Sequence, residues 1–295
     1  MRLTQMATSA PNILLTARRT ETVLDHHRPL DTRLPEMLRS GQRLRGIFNG
    51  IASPAIVEMC SYAGFDFIII DNEHGSASLE TTEHMLRAAR ASDLPAVVRC
   101  LPHDIARTLD IGAGALQIPM VNTAVQAHSL VQQIKYPMPG GVGKDGGAVA
   151  GGGQRGSAFS SRAAGYGAFG GPAHTQRSNE GIALIVMIET PEGCANASAI
   201  ASVPGVDGVF VGPNDLAHSM GFENRWAEAA VQSAIERCLK DVAACGKCPG
   251  ILALTPEDED KYGRWGARYF ANVTTGIITK ALREAAQGGR TALAY

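Results

Sequence analysis

Eight short apolar runs, separated by longer helix-like stretches, constrain this chain more than any other feature. They fall at 45–51, 65–71, 95–100, 115–121, 183–189, 208–212, 250–254 and 269–273. The runs are apolar almost without interruption, where a half-exposed strand would alternate. That pattern suits parallel strands covered on both faces. The intervening stretches, such as 79–91 and 227–244, repeat apolar residues every three or four positions, the spacing of a one-sided helix. Hydroxyl residues near three helix starts, Ser76, Thr190 and Thr255, are the caps such helices use. Strand and helix alternating eight times predict an α/β fold closed as a (β/α)8 TIM barrel, more than an open doubly wound sheet. Residues 34–295 read as one barrel domain, with 1–33 as an arm before it.

Composition narrows the partners. The 295 residues carry a formal net charge of -1 and no basic stripe, which argues against nucleic acid. No apolar run approaches the roughly 20 residues that a membrane span needs. The arm mixes Arg18, Arg19, Glu21 and Asp25 with a short apolar patch at 13–15. A secretory signal needs a longer apolar core, and transit peptides are poor in acids. The expected location is the cytoplasm, with a mitochondrial address as the lesser alternative. Six cysteines in a chain of this length form no disulfide framework. Cys245 and Cys248 stand at a metal-like spacing but lack a second pair or a nearby histidine, which speaks against zinc.

One segment breaks the rhythm. Residues 139–179 are rich in glycine and short of apolar side chains. The string Gly-Gly-Val-Gly-Lys-Asp at 140–145 lacks the hydroxyl after lysine, and the strand-to-helix setting, of a phosphate loop. A long loop in a compact domain is usually functional or disordered. On the C-terminal rim of a barrel it would be a lid over the active site or a solvated insertion.

Active sites of such barrels gather at the C-terminal ends of the strands. Those ends carry Asp71, Glu73 and His74 after the second run, Arg99 in the third, Glu189 in the fifth and Asp215 after the sixth. Ionised groups placed after buried runs need exposure, a partner or a metal. Two carboxylates sharing a pocket repel, and a divalent cation removes that penalty. Hard oxygen ligands suit Mg2+ or Mn2+ better than zinc. Arg99 offers a planar fork for a substrate carboxylate. His74, with Asp71 three residues earlier to orient it, suits a base near neutral pH. Plain structural roles are open too, since Asp71 could cap the next helix or pair with Arg99. His103, His128 and His218 have no supporting neighbours. None of Lys135, Lys144, Lys240, Lys247, Lys261 and Lys280 falls at a strand's C-terminal end, which disfavours an imine mechanism.

Several strings together resemble the HpcH/HpaI family of class II aldolases. They are Phe-Ile-Ile-Ile-Asp-Asn-Glu-His-Gly (67–75), Ala-Val-Val-Arg (96–99), Gln-Ile-Pro-Met-Val (117–121) and Ile-Glu-Thr (188–190). Gly-Val-Asp-Gly-Val-Phe-Val-Gly-Pro-Asn-Asp-Leu (205–216) and Pro-Gly-Ile-Leu (249–252) follow in order, so the resemblance spans about 34–286. It implies a barrel of the phosphoenolpyruvate/pyruvate-domain type and a homohexamer built as a trimer of dimers with helix exchange. It also implies a metal-dependent lyase that cleaves or forms 4-hydroxy-2-oxoacids through a pyruvate-type enolate, releasing pyruvate and an aldehyde. Glu189 and Asp215 would ligate Mg2+, with Mn2+ or Co2+ as alternatives. Arg99 would hold the enolate oxygen, and His74 paired with Asp71 would move a proton through water. Gly212, Pro213, Asn214 and Leu252 would border the substrate.

Two features depart from the family pattern. Met187 stands where many relatives carry a glutamine that helps to hold pyruvate. The stretch after Tyr136 and Pro137 is lengthened by glycines before the pattern resumes at Gln154-Arg155-Gly156, which makes Arg155 a secondary candidate for substrate contact. Oxaloacetate decarboxylation and bond formation of the macrophomate-synthase kind would use the same enolate. A non-catalytic, metabolite-binding barrel is the alternative outside enzymology.

Overall fold

The apolar runs become eight parallel strands that close on themselves. In the computed structural model, which describes residues 28–137 and 152–288, these are β1 (Leu44–Asn49), β2 (Phe67–Asp71), β3 (Ala96–Arg99), β4 (Ala115–Ile118), β5 (Ala183–Ile188), β6 (Gly208–Val211), β7 (Cys248–Leu252) and β8 (Tyr269–Val273). Each strand pairs with the next, and β8 returns to β1 with Leu44 opposite Tyr269 and Phe48 opposite Val273.

Continuous burial follows from closure, because successive side chains point to opposite faces and both faces are covered. Outward-facing Ile68, Ile70, Val98, Leu116, Val186, Ile188, Val209 and Val211 meet the apolar faces of the surrounding helices. Inward-facing Phe67, Ile69, Val97, Ile185, Met187, Phe210 and Tyr269 fill the barrel. Phe67 and Tyr269 stack at 4.2 Å, and Phe210 meets Tyr269 edge-on at 6.0 Å. The short helix α1 (Leu34–Arg39) adds Leu34 and Leu38 to this inner set and so plugs the N-terminal mouth. Packing starts before residue 34, because Leu30 is already buried in the outer core.

The other helices are α2 (Pro54–Tyr62), α3 (Leu79–Ala91), α4 (Ile105–Asp110), α5 (Ala124–Ile134), α6 (Pro172–Gly181), α7 (Pro191–Ala195), α8 (Ala197–Ala201), α9 (Pro213–Ser219), α10 (Ala229–Ala244), α11 (Pro256–Arg264) and α12 (Thr274–Ala286). Thr190 and Thr255 cap α7 and α11 as expected, accepting from the amides of Gly193 and Asp258. At α3 the cap is Ser78, which accepts from the amide of Thr81, and Ser76 lies in the loop before it. β7 begins at Cys248, two residues before the expected run, so Cys248 is an inner-core residue and Cys245 caps α10.

The glycine-rich connection needs correcting. Residues 138–151 lie outside the described residues, but 152–179 pack at the end of the barrel opposite the expected rim. The reason is α5, which carries the chain from the end of β4 back to the N-terminal side. Gln154 and Arg155 then bond to carbonyls at the end of α5, and α6 leads directly into the start of β5. The described part of the segment is therefore no lid.

Helix α12 differs from its neighbours. Thr274 is its one buried residue, while Ile277 is 44% and Leu282 64% exposed. On α2, Met59 and Tyr62 are exposed as well, at 61% and 79%.

Phe67→Ala empties the centre of the inner core. It lowers stability by about 3–5 kcal/mol, read as a drop in the denaturant midpoint with the α/β circular dichroism retained.

Candidate active site

β2 and β3 are in register so that Asp71 and Arg99, the last residue of each strand, stand opposite one another. Arg99 donates through Nε to Asp71 Oδ1 at 2.8 Å and through Nη2 to Oδ2 at 2.6 Å. Its third nitrogen, Nη1, lies 3.1 Å from Glu73 Oε2, and the guanidinium sits 4.8 Å over the Phe48 ring. Asp71 also accepts from the backbone amides of Glu73 and His74 at 3.1 and 3.3 Å, which folds the turn after β2. Burial alone would raise the Asp71 carboxyl, but the Arg99 bonds and charge outweigh it and hold it below the ordinary range.

This arrangement revises the expected dyad. Both Asp71 oxygens are taken by Arg99, so Asp71 reaches His74 only through its amide. The imidazole instead faces Glu73, with Nε2 at 3.9 Å from Oε2, and its side chain is 66% exposed. Glu73 is the member that sequence reasoning passed over, although it stood within the same string.

Glu189 follows β5 into the same cavity and is 2% exposed. Its Oε2 accepts from the Met120 amide at 2.8 Å. Met120 adopts φ 59°, a left-handed conformation unusual for a non-glycine residue. Such a conformation costs of order 1–3 kcal/mol and persists where its surroundings impose it. Gly212 packs on the other side of Glu189, where an added Cβ would come within 2.7 Å of Cγ and Oε1. Burial raises the Glu189 carboxyl to about 7, the Met120 bond opposes this, and the charges of Asp215 and Glu73 add to it.

Asp215 stands in the first turn of α9, exposed at the mouth. The cavity, of ≈ 330 Å³, is lined by Asp71, His74, Arg99, Glu189 and Asp215, together with Gly212, Pro213, Asn214 and Leu252. Phe48, Gly50, Met187, Phe210, Val273 and Thr275 complete it. Among the described residues no group of three or more His, Cys, Asp or Glu side chains forms a metal cage. Two carboxylates facing one cavity, one of them desolvated so that its charged form is disfavoured, still suit a hard divalent cation that keeps water in its shell. No described lysine lines the cavity.

Arg155 does not belong to this site. Its guanidinium is buried over the Tyr136 ring at 4.3 Å and reaches Asp110 at 3.2 Å, so it is a packing cation beside the end of α5.

Known proteins match both sequence and fold. The pattern of the HpcH/HpaI aldolase/citrate lyase family covers residues 44–283. A Delftia acidovorans protein named hydroxypyruvate/pyruvate aldolase is 38% identical over 252 residues, 84% of this chain and 87% of that one. A 2-keto-3-deoxy-L-rhamnonate aldolase of Salmonella gallinarum is 34% identical over 252 residues, 84% of this chain and 89% of its own length. The crystal structure of an HpcH/HpaI aldolase/citrate lyase family protein from Burkholderia cenocepacia gives a TM-score of 0.79 at 31% identity, covering 88% of this chain and 100% of that one.

The Asp71–Arg99 pair has a pH signature. A carboxyl held below its unfolded value of about 3.9 contributes stability above that pH and loses it as pH falls through the folded value. Asp71→Asn costs about 3 kcal/mol or more at neutral pH, because Arg99 keeps only part of its counter-charge. The variant's stability also falls less steeply than wild type below pH ~4 in acid unfolding curves.

Proposed function

The chain belongs to the HpcH/HpaI aldolase/citrate lyase family, and from that premise we propose that it is a pyruvate-type aldolase working with a divalent metal ion, Mg2+ by preference. Its reaction is cleavage or formation of a 4-hydroxy-2-oxoacid between C3 and C4. The observation that carries this reading is the meeting, in one cavity, of the Glu189 and Asp215 carboxylates with the Arg99 guanidinium.

Glu189 and Asp215 would hold the divalent ion, which when bound would supply Lewis-acid stabilisation of developing oxyanion charge. Arg99 adds a fixed positive charge, held in place by Asp71, Glu73 and the Phe48 face. Negative charge appears on the C2 oxygen as the C3–C4 bond breaks, so this cation lowers the barrier more than it tightens substrate binding. His74, exposed at the mouth, takes the C4 hydroxyl proton through water, and the electron pair of that O–H bond forms the aldehyde carbonyl. The C3–C4 pair becomes the C2=C3 bond of the enolate, which collects a proton at C3 to give pyruvate. The backbone at Gly212, Pro213 and Asn214, with Leu252, borders the 2-oxoacid.

We also read the assembly as a homo-oligomer, a hexamer of exchanged-helix dimers. The apolar stripe of α12 is unpacked, and α2 leaves Met59 and Tyr62 uncovered. All six cysteines are free, which suits a reducing compartment such as the cytoplasm. No described helix is long and apolar enough to cross a membrane.

EDTA abolishes cleavage of a 4-hydroxy-2-oxoacid, and Mg2+ or Mn2+ restores it. Glu189→Gln and Asp215→Asn lose metal binding in calorimetry, whereas His74→Ala keeps it and loses about 10²–10⁴-fold in kcat. Borohydride with pyruvate traps nothing on the protein, and a stable adduct would mean an imine mechanism instead.

Ile277→Glu with Leu282→Glu shifts the protein to smaller species in light scattering. An unchanged mass would separate α12 from assembly.

A further inference from the structure

The floor of the cavity bears on which 2-oxoacid the site accepts. Met187 stands two residues before Glu189, so it projects to the same face one step deeper. It is 2% exposed, and its register partner on β6 is Phe210. Phe48, Leu252 and Val273 complete the lining around them. Phe48 and Phe210 meet edge to face at 5.5 Å, which holds this surface in one shape. None of these side chains carries a hydrogen-bond donor. The amide of Gln117 is fully buried, lies 3.3 Å from the Tyr269 hydroxyl and does not line the cavity.

Polar groups divide by depth. His74, Asn214, Asp215 and Thr275 are exposed at the mouth. Arg99 is deeper, with Nε and Nη2 bonded to Asp71 and Nη1 3.1 Å from Glu73 Oε2. A planar 2-oxoacid bound with its carboxylate and C2 oxygen toward the charged side of the site would set its remaining corner, C3, against hydrocarbon and thioether. A methyl or methylene gains from burial there, whereas a hydroxyl gives up water and receives no partner.

We propose that the site selects as its nucleophile a 2-oxoacid with a hydrocarbon C3, pyruvate or its one-carbon homologue, against a 3-hydroxy-2-oxoacid, and that Met187 sets this choice. The inference rests on the aldolase reading above. In forming the enolate, the C3–H bond breaks, the proton passes to the base at the mouth, and the electron pair forms C2=C3 as the carbonyl pair moves onto oxygen. The substituents of C3 become coplanar with the enolate in that step and lie against the floor. An unbranched, polarisable methionine adapts to one further methylene.

The test uses the full-length enzyme with Mg2+ and one fixed aldehyde. Pyruvate, 2-oxobutyrate and hydroxypyruvate are compared in aldol addition, and each is also followed for exchange of C3 hydrogen into D2O without aldehyde. Wild type prefers pyruvate to hydroxypyruvate by about ten- to a hundredfold in kcat/KM, the range an apolar pocket achieves against an added hydroxyl. It uses 2-oxobutyrate within about tenfold of pyruvate. Met187→Gln supplies the missing donor and shrinks the hydroxypyruvate gap to about threefold or less, while Met187→Leu keeps the gap. Equal use of hydroxypyruvate by wild type, or a ratio that Met187→Gln leaves unmoved, overturns the selection alone. Absence of C3 exchange from all three acids overturns the aldolase reading and the selection with it.

Discussion

The ion pair between Asp71 and Arg99 organises the catalytic end of the barrel, and it exists because two neighbouring strands end in register. Two bonds of 2.8 and 2.6 Å fix the guanidinium plane, and the same carboxylate gathers the amides of the next turn. One acidic side chain therefore sets both the position of the cation and the path of the backbone carrying Glu73 and His74. A lysine in place of Arg99 could not do this, since a point charge cannot fill the fork. The geometry is inherited from strand pairing, so it needs no flexible loop to assemble it.

Against that rigid half stands a second, strained half. Glu189 is desolvated with its carboxyl raised to about 7, and it is held by an amide whose own residue occupies the left-handed region. Gly212 leaves the space that the carboxylate fills. Burial of this kind costs stability, and the deep inner core offsets it. The stacked Phe67–Tyr269 pair and the α1 plug belong to the layers beneath the site and touch none of its chemistry. Stability and reactivity are thus separated along the barrel axis.

Much of this was legible in the chain because closure imposes parity. Every strand was visible as a nearly uninterrupted apolar run, and Asp71, His74, Arg99, Glu189 and Asp215, which line the cavity, stood out as polar groups in the wrong place for a core. The features that stayed hidden have physical reasons. Glu73 was masked by adjacent Asp71 and His74, since spacing cannot say which of three neighbouring polar residues meets an arginine from another strand. Met120 acts through its amide and leaves no side-chain signal. Arg155 and the other described residues of 152–179 lie away from the expected rim for one cause: α5 returns the chain to the far end of the barrel. Phe48, Val273 and Thr275 are ordinary residues made relevant only by where their strands end.

The departure at Met187 gains meaning from the same parity. A residue two places before a strand-end carboxylate must share its face, so any side chain there is part of the floor whatever its chemistry. In the proposed reading, the charged groups at the strand ends let an enolate form, and the side chain one step deeper on β5 selects the carbon framework that fits against it. On that proposal, substitution at the deeper step changes substrate choice while Asp71, Arg99, Glu189 and Asp215 stay in place around the cavity.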